Sequence, residues 1–136
     1  MIRMQDHALV SRWLVVVLIG ALSGCSSTDK FILDSDVPTP AHLEGRLLNG
    51  LKREDGRLVG AHAIYIGDIA NAQASLARVE TQFTKAGWVL ETAVGDDIKA
   101  DGFFRKDTRS CRVRVLKNEL DPAMSRMSYE LGGSDG

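Results

Sequence analysis

The sequence is poor in the residues that build cross-linked scaffolds and metal centres, since it holds only 2 cysteines and 3 histidines among 136 residues. Two cysteines exclude a disulfide-rich scaffold, and they cannot form a four-ligand zinc site alone. Charge of neither sign dominates, because 17 Lys and Arg stand against 18 Asp and Glu. A polybasic arm and an acidic disordered tail are therefore excluded as dominant features, and we expect no nucleic-acid partner.

The sequence also lacks an apolar run long enough to cross a membrane. Its composition, 44% hydrophobic and 26% charged, is that of a globular protein, and 136 residues hold at most one ordinary domain. The apolar run from Trp13 to Leu22 has ten residues, whereas a spanning helix needs about twenty. Ten residues with Arg3 and Arg12 ahead of them suit a secretory signal. We therefore expect residues 1–24 to be a signal peptide.

The four residues that end this run are Leu22-Ser23-Gly24-Cys25. They resemble the lipobox of bacterial lipoproteins, in which small residues fit the processing enzymes and the thiol takes a diacylglyceryl group. The resemblance implies cleavage before Cys25 and lipidation of Cys25, with a further acyl chain such as palmitate on its amino group. Each buried CH₂ contributes about 0.8 kcal/mol, so two or three chains anchor a protein firmly. The alternatives are a plain signal peptide and a short buried helix with a chance cysteine.

The residue after the cysteine bears on which membrane the anchor would enter. Ser26, not Asp, follows Cys25. In a host with two membranes this implies the outer membrane, with the protein facing the periplasm. A host with one membrane would display the protein on the outer side of that membrane.

Residues 25–41 are rich in Ser, Asp and Pro, which predicts a flexible tether after the lipidated cysteine. The apolar triplet Phe31-Ile32-Leu33 interrupts the tether. We expect this triplet to dock on the domain or to add an edge strand to it, and contact with the membrane surface is the alternative. Residues 42–131 are predicted to form one domain, and residues 132–136 a disordered tail.

The domain shows one helical pattern and several strand patterns. Apolar residues recur at intervals of three and four from Ile69 to Ala86, with Asp68 as the expected N-cap and Gly87 as the stop. Strands are predicted at Leu43–Leu51, Arg57–Ile66, Trp88–Val94, Gly102–Lys106, Cys111–Lys117 and Ser125–Leu131. The predicted fold class is α+β: one helix on an antiparallel sheet of about five to six strands, in the order β-β-α-β-β-β-β.

Short motifs between Asp36 and Val115 resemble a group of small bacterial lipoproteins of unknown function. They are Asp36-Val37-Pro38-Thr39-Pro40, Tyr65-Ile66-Gly67, Gly87-Trp88, Phe104-Arg105-Lys106 and Cys111-Arg112-Val113-Arg114-Val115. The resemblance implies no activity, substrate or cofactor, and the only functional residue it carries over is the lipidated Cys25.

The residues for catalysis are few. The segment around Cys111 is faintly similar to the cysteine motif of L,D-transpeptidases, which has a Gly before the Cys and a His shortly upstream. Here Ser110 precedes the cysteine, and no His follows His62. Cys111 alternates with Val113 and Val115, as a buried structural thiol does. We therefore expect a non-catalytic domain without cofactor, and an envelope enzyme using Cys111 is the alternative.

Metal binding has little support in the sequence. Asp96, Asp97 and Asp101 form an acidic turn whose spacing does not match an EF-hand loop. We expect a solvated turn and no metal site.

Three arginines form the one candidate ligand site. With a turn at Asp107–Ser110, Arg105 would lie opposite Arg112, and Arg114 would share their face of the hairpin opposite Phe103. Like charges opposite each other need neutralisation. Carboxylates of neighbouring strands, Glu91 or Glu130, or water could supply it. The functional alternative is an anionic envelope ligand, which guanidinium groups bind through paired hydrogen bonds.

The predicted strand at residues 57–66 is apolar on both sides, which makes an envelope protein a second candidate partner. Ile64 and Ile66 alternate with Val59, Ala63 and Tyr65. Only one side can meet the helix. The other side would be open to a partner or a second copy, or covered by Phe31-Ile32-Leu33.

Overall fold

The structure, a computed structural model, describes residues 30–133. The predicted signal peptide, Cys25 and residues 134–136 lie outside the described residues. Within residues 30–133, six strands and one α-helix form in the order β1 Glu44–Glu54, β2 Arg57–Gly67, α1 Ala72–Lys85, β3 Val89–Gly95, β4 Lys99–Lys106, β5 Arg109–Leu116 and β6 Ser125–Gly133, with a short 3₁₀ turn at Pro122–Met124 before β6.

All six strands join one antiparallel sheet with the spatial order β1-β2-β6-β5-β4-β3. The helix follows β2 and carries the chain across to β3 at the opposite edge. Strands β3 to β6 then run back toward β2 as a meander. The predicted fold class and element order are confirmed.

The helix buries the apolar stripe that its periodicity predicted. Ala72, Leu76, Val79 and Phe83 are all buried, and α1 packs on β3, β4 and β5. The expected N-cap was wrong, since Asn71 caps the helix through a hydrogen bond that its Oδ1 accepts from Ala74 N at 2.9 Å. The three residues before Asn71 form a connection, within which Ile69 is buried.

Phe83 lies at the centre of the core between helix and sheet. Its ring is 4.4 Å from that of Phe104 and 5.7 Å from that of Tyr129, measured between centroids. A Cβ at Gly102 of β4 would come within 2.9 Å of Leu76 Cδ1, so the glycine is what allows the helix to approach the sheet this closely.

Residues 30–41, predicted to belong to a flexible tether, are packed on the domain. Ile32 and Val37 are buried in the same apolar cluster as Leu58 and Ala61 of β2. The segment folds back on itself, with Thr39 N donating to Lys30 O at 2.8 Å. The helix packs chiefly on β3, β4 and β5, and this segment covers the helix side of β2 beyond it. The domain therefore begins well before residue 42.

The predicted C-terminal boundary of the domain, at residue 131, also lies before the true end of β6 at Gly133. Gly132 and Gly133 continue β6, where they pair with Ser110 and Arg109 of β5. Chain ends are often poorly ordered, which is the basis of the predicted tail, but the β5 ladder continues past Leu131 and gives the backbone of both glycines a partner.

Candidate functional site

The three predicted arginines lie on the sheet face opposite α1, here called the outer face. Arg105 lies on β4, and Arg112 and Arg114 on β5; the residues that alternate with them, such as Phe104 and Val113, are buried on the helix side. The alternation of the sequence therefore predicted the shared face of these side chains.

The predicted register of this hairpin was wrong. The chain turns at only two residues, 107 and 108, with Asp107 at a φ of 49°. Arg105 consequently pairs with Ser110, whereas Arg112 pairs with Phe103 and Arg114 with Asp101. The expected turn of four residues, 107–110, would pair Arg105 with Arg112, and the shorter turn moves each β5 residue two positions along β4.

Carboxylates on the same face neutralise the arginines. Arg105 Nε bonds to Glu91 Oε1, which was one of the two expected partners. Arg114 Nε donates to Asp101 Oδ1 at 2.9 Å, and Arg112 Nε lies 3.5 Å from the same oxygen. Asp101, which the sequence reasoning placed only in an acidic turn, thus serves two guanidinium groups.

Arg112 is the least satisfied member of the cluster. Its Nε is buried without a hydrogen bond among the described residues, and its guanidinium carbon lies 5.3 Å from the ring centroid of Phe103. Glu130 of β6 is its cross-strand neighbour. Two guanidinium groups that share one carboxylate have N–H donors left to bind an additional anion.

A second charged cluster, which the sequence reasoning missed, fixes the N-terminal segment to the sheet. Arg109 at the start of β5 has a fully buried side chain. It donates from Nη1 to Asp36 Oδ1 at 2.8 Å and from Nη2 to Asp36 Oδ2 at 2.7 Å. Its Nε donates to Asp107 Oδ1 at 3.0 Å, and Nη1 also reaches Leu58 O at 3.1 Å.

Trp88 completes this cluster. The Arg109 guanidinium carbon lies 5.1 Å from the Trp88 ring centroid, and Trp88 Nε1 donates to the backbone oxygen of Asp36 at 2.9 Å. Lys106 Nζ lies 2.9 Å from Asp36 Oδ2. We call Asp36, Trp88, Lys106 and Arg109 the clasp, because together they hold residues 30–40 on the domain.

The electrostatics of the clasp favour the ionised pair. The hydrogen bond from Arg109, with a further one from Lys106, outweighs partial burial and holds the pKa of the Asp36 carboxyl well below its usual range. The same bond raises the pKa of Arg109 above its already high value. Asp36 stood within a short motif of the sequence, but no local pattern connects it with an arginine 73 residues later.

Cys111 lies on the helix side of β5 and is fully buried. Burial, together with the charge of Glu130, raises the pKa of its thiol to about 12. A nucleophilic cysteine needs the opposite, an accessible thiol with a lowered pKa. His42 and His62, the histidines of the described chain, are not among the groups that shift this pKa.

The N-terminal segment covers a different side of β2 from the one expected. Ala63 and Tyr65 face the helix side and are buried, whereas Ile64 and Ile66 lie on the outer face. Ile32 joins the same cluster as Tyr65, so the N-terminal segment docks on the helix side and not over Ile64. On the outer face, Phe103, Arg112 and Arg114 are partly exposed.

Two further properties concern the described part of the chain alone. Between residues 30 and 133, no three His, Cys, Asp or Glu side chains cluster as a metal site would require. The α-helix in the same range is too short and too polar to span a bilayer.

Comparison with known proteins gives no match, since neither a family model, nor a curated protein, nor a solved structure is significantly similar to this chain.

Proposed function

We propose that the protein is a lipid-anchored component of the bacterial cell envelope, whose small α+β domain binds or assembles with other envelope components and is not an enzyme. The observation that carries this proposal is the tetrapeptide Leu22-Ser23-Gly24-Cys25 directly after an apolar run of signal-peptide length. In a host with two membranes, the domain would face the periplasm from the outer membrane.

The arrangement of the domain supports an anchored binding role. The clasp fixes the segment that leads from Cys25 to β1, so a lipid at Cys25 would hold the whole domain near the bilayer. The outer face, on the other side of the sheet, carries both apolar and charged side chains and would remain accessible. The burial of Cys111 and the raised pKa of its thiol favour the binding role over the alternative of an enzyme using this cysteine.

The anchor is tested on protein made by a bacterium that processes lipoproteins. The purified wild-type chain should have the mass of residues 25–136 plus a diacylglyceryl group and an acyl chain, and it should fractionate with membranes. Cys25→Ser should abolish both the added mass and the membrane association, whereas Cys111→Ser is the matched control that keeps both. An unmodified thiol at Cys25 in the wild type, or an uncleaved leader, overturns the proposal.

A second candidate function is binding of an anionic envelope ligand through Arg105, Arg112 and Arg114. The specific observation in its favour is that Arg112 and Arg114 share the single carboxylate of Asp101, while Arg112 Nε has no hydrogen bond among the described residues. An incoming phosphate or carboxylate would bind the remaining guanidinium donors of Arg112 and Arg114, whose side chains are 37% and 38% exposed. The Arg105–Glu91 pair, by contrast, is already neutralised within the sheet.

A further inference from the structure

We propose that an apolar surface along the free edge of β1 lies against the bilayer that anchors the chain. This β1-edge surface consists of Phe31, Leu33 and Leu48. The inference rests on the proposed function, because it takes Cys25 as the lipidated residue. It goes further by assigning which side of the domain meets lipid and which side faces away.

The three side chains are exposed, yet they lie together on the helix side of the sheet. Phe31 is 43% exposed, Leu33 50% and Leu48 40%. All three line one shallow groove of about 390 Å³ between the N-terminal segment and β1, whereas Leu47 pairs with Ile64 and points to the outer face. Isolated exposed apolar residues are ordinary on protein surfaces, but a contiguous group of large ones marks a contact surface.

The backbone that presents Leu33 is strained. Leu33 and Asp34 are consecutive non-glycine residues with φ values of 35° and 44°, a region that side chains with a Cβ adopt at a cost. The turn is closed by the bond from Ser35 N to Ile32 O at 3.0 Å, and Arg53 Nη2 donates to Leu33 O at 2.9 Å. The structure therefore holds a leucine outward in a conformation that glycine or asparagine would adopt more easily.

The length of chain before this surface selects its partner. Only residues 26–30 separate Cys25 from Phe31, and a fully extended chain of this length reaches about 20 Å. The clasp prevents residues 31–40 from peeling away to lengthen this connection. A lipid at Cys25 would therefore bring the bilayer within reach of the β1-edge surface in every molecule, whatever the protein concentration.

The polar residues around the surface suit the headgroup region. Arg46 lines the groove and Lys30 directly precedes Phe31, so both can contact phosphates while the apolar side chains enter the interface. Glu44 lies 3.6 Å from Arg46 and partly offsets it. Since apolar side chains provide the contact, it should persist when salt screens the charges.

A competing occupant is a second copy of the chain. Strand β1 pairs only with β2 in the described structure, and such a free edge can template a strand from another molecule. Two copies joined in this way would bury Leu48 without lipid, and the experiment must separate this outcome from membrane contact.

The test places a nitroxide label on the full chain, purified from membranes and reconstituted into vesicles of phosphatidylethanolamine and phosphatidylglycerol. Labels at Leu33→Cys and at Leu120→Cys are compared, because Leu120 is 99% exposed and lies in the β5–β6 connection at the other end of the sheet. Cys111 is buried and should not take the label. The unfolding midpoint in urea checks that each labelled chain is folded.

We expect the collision rate of the Leu33 label with a water-soluble relaxing agent to be lower than that of the Leu120 label, by about threefold or more. Its collision rate with oxygen, which concentrates in lipid, should be the higher of the two. The difference should survive high salt. A label at Leu48→Cys should be protected in the same way, and should lose its protection when Phe31→Ser and Leu33→Ser remove the apolar side chains beside it.

Mass measurement of the same samples separates the two proposals. An acylated chain whose Leu33 label is as accessible to water as its Leu120 label overturns the membrane contact and leaves the lipid anchor intact. Spin–spin broadening between Leu48 labels without lipid access assigns the surface to a second copy and also overturns the contact. A chain without lipid at Cys25 overturns the proposed function, and the membrane contact with it.

Discussion

Arg109 binds Asp36 with both of its terminal nitrogens, although 73 residues separate the two in the chain. The pair joins the segment that precedes the sheet to the first residue of β5. A buried guanidinium is stable only when its N–H donors are hydrogen-bonded. Arg109 therefore depends on Asp36 for its stability, and residues 30–40 depend on Arg109 for their position on the domain. This dependence makes the segment part of the domain.

Loss of the Asp36 carboxylate should destabilise the whole domain. Asp36→Asn removes the charge that faces a fully buried guanidinium, and charge-assisted hydrogen bonds contribute about 1.5–3 kcal/mol. We expect the free energy of unfolding in urea to fall by an amount in this range. Asp34→Asn is the matched control, because this exposed carboxylate lies two residues away in a left-handed turn that asparagine tolerates. Equal stabilities of the two variants would show that the clasp contributes nothing.

The clasp also predicts how stability depends on pH. The pKa of Asp36 is lowered in the folded protein, so its contribution is complete above the unfolded pKa of about 3.9 and is lost as the pH falls below it. The wild type should therefore exceed Asp36→Asn in unfolding free energy at pH 7 and pH 5, and the two should converge toward pH 2. Urea titrations of both proteins at these pH values measure the difference, and a gap that is constant or widens in acid contradicts the assignment.

The elements that the sequence predicted are those that local pattern determines. The helical stripe from Ala72 to Phe83 repeats at the spacing of a helix face. Between the first two predicted strands, Asp55 and Gly56 adopt φ values of 51° and 78°, a conformation to which Asp-Gly is suited. Alternation along β5 placed Arg112 and Arg114 on one face for the same reason.

What the sequence could not reveal depends on register and on distance along the chain. The partner of Arg114 is Asp101 only because the β4–β5 turn has two residues, and a turn of four residues was equally compatible with the pattern of Asp107-Thr108-Arg109-Ser110. The docking of residues 30–41 depends on the contact between Asp36 and Arg109, which no periodicity encodes. The Ser, Asp and Pro content of that segment predicts a tether. Composition does not reveal which of its residues are buried, so the docking could not be foreseen.

The burial of Cys111 predicts a slow reaction with thiol reagents. In a Cys25→Ser background, where Cys111 is the one remaining thiol, labelling of the native protein should be limited by unfolding and should become fast in strong denaturant. Because the buried thiol has a raised pKa and reacts only after opening, the rate should follow the opening of the domain and not the thiolate fraction of the folded protein. Rapid labelling of the folded protein at neutral pH would instead favour the alternative of an enzyme that uses this cysteine.

Charge reversal on the outer face tests the anionic-ligand hypothesis. Arg112→Glu with Arg114→Glu places two more carboxylates beside Asp101, so binding to anionic vesicles or to cell-wall sacculi should fall by at least about tenfold if these arginines carry it. The control is Arg78→Glu with Lys85→Glu, which changes the net charge equally on exposed positions of α1. Co-sedimentation at low and at physiological salt is the measurement.

The two doubly substituted proteins separate a site from a general effect of charge. If both variants lose binding equally, net charge accounts for the attraction and the arginine cluster is not a site. If neither loses binding, or if the parent does not bind at all, the outer face has no role in recognising anions. A loss confined to the variant at Arg112 and Arg114 assigns the ligand to the two guanidinium groups that share Asp101, since these have donors left for a further acceptor.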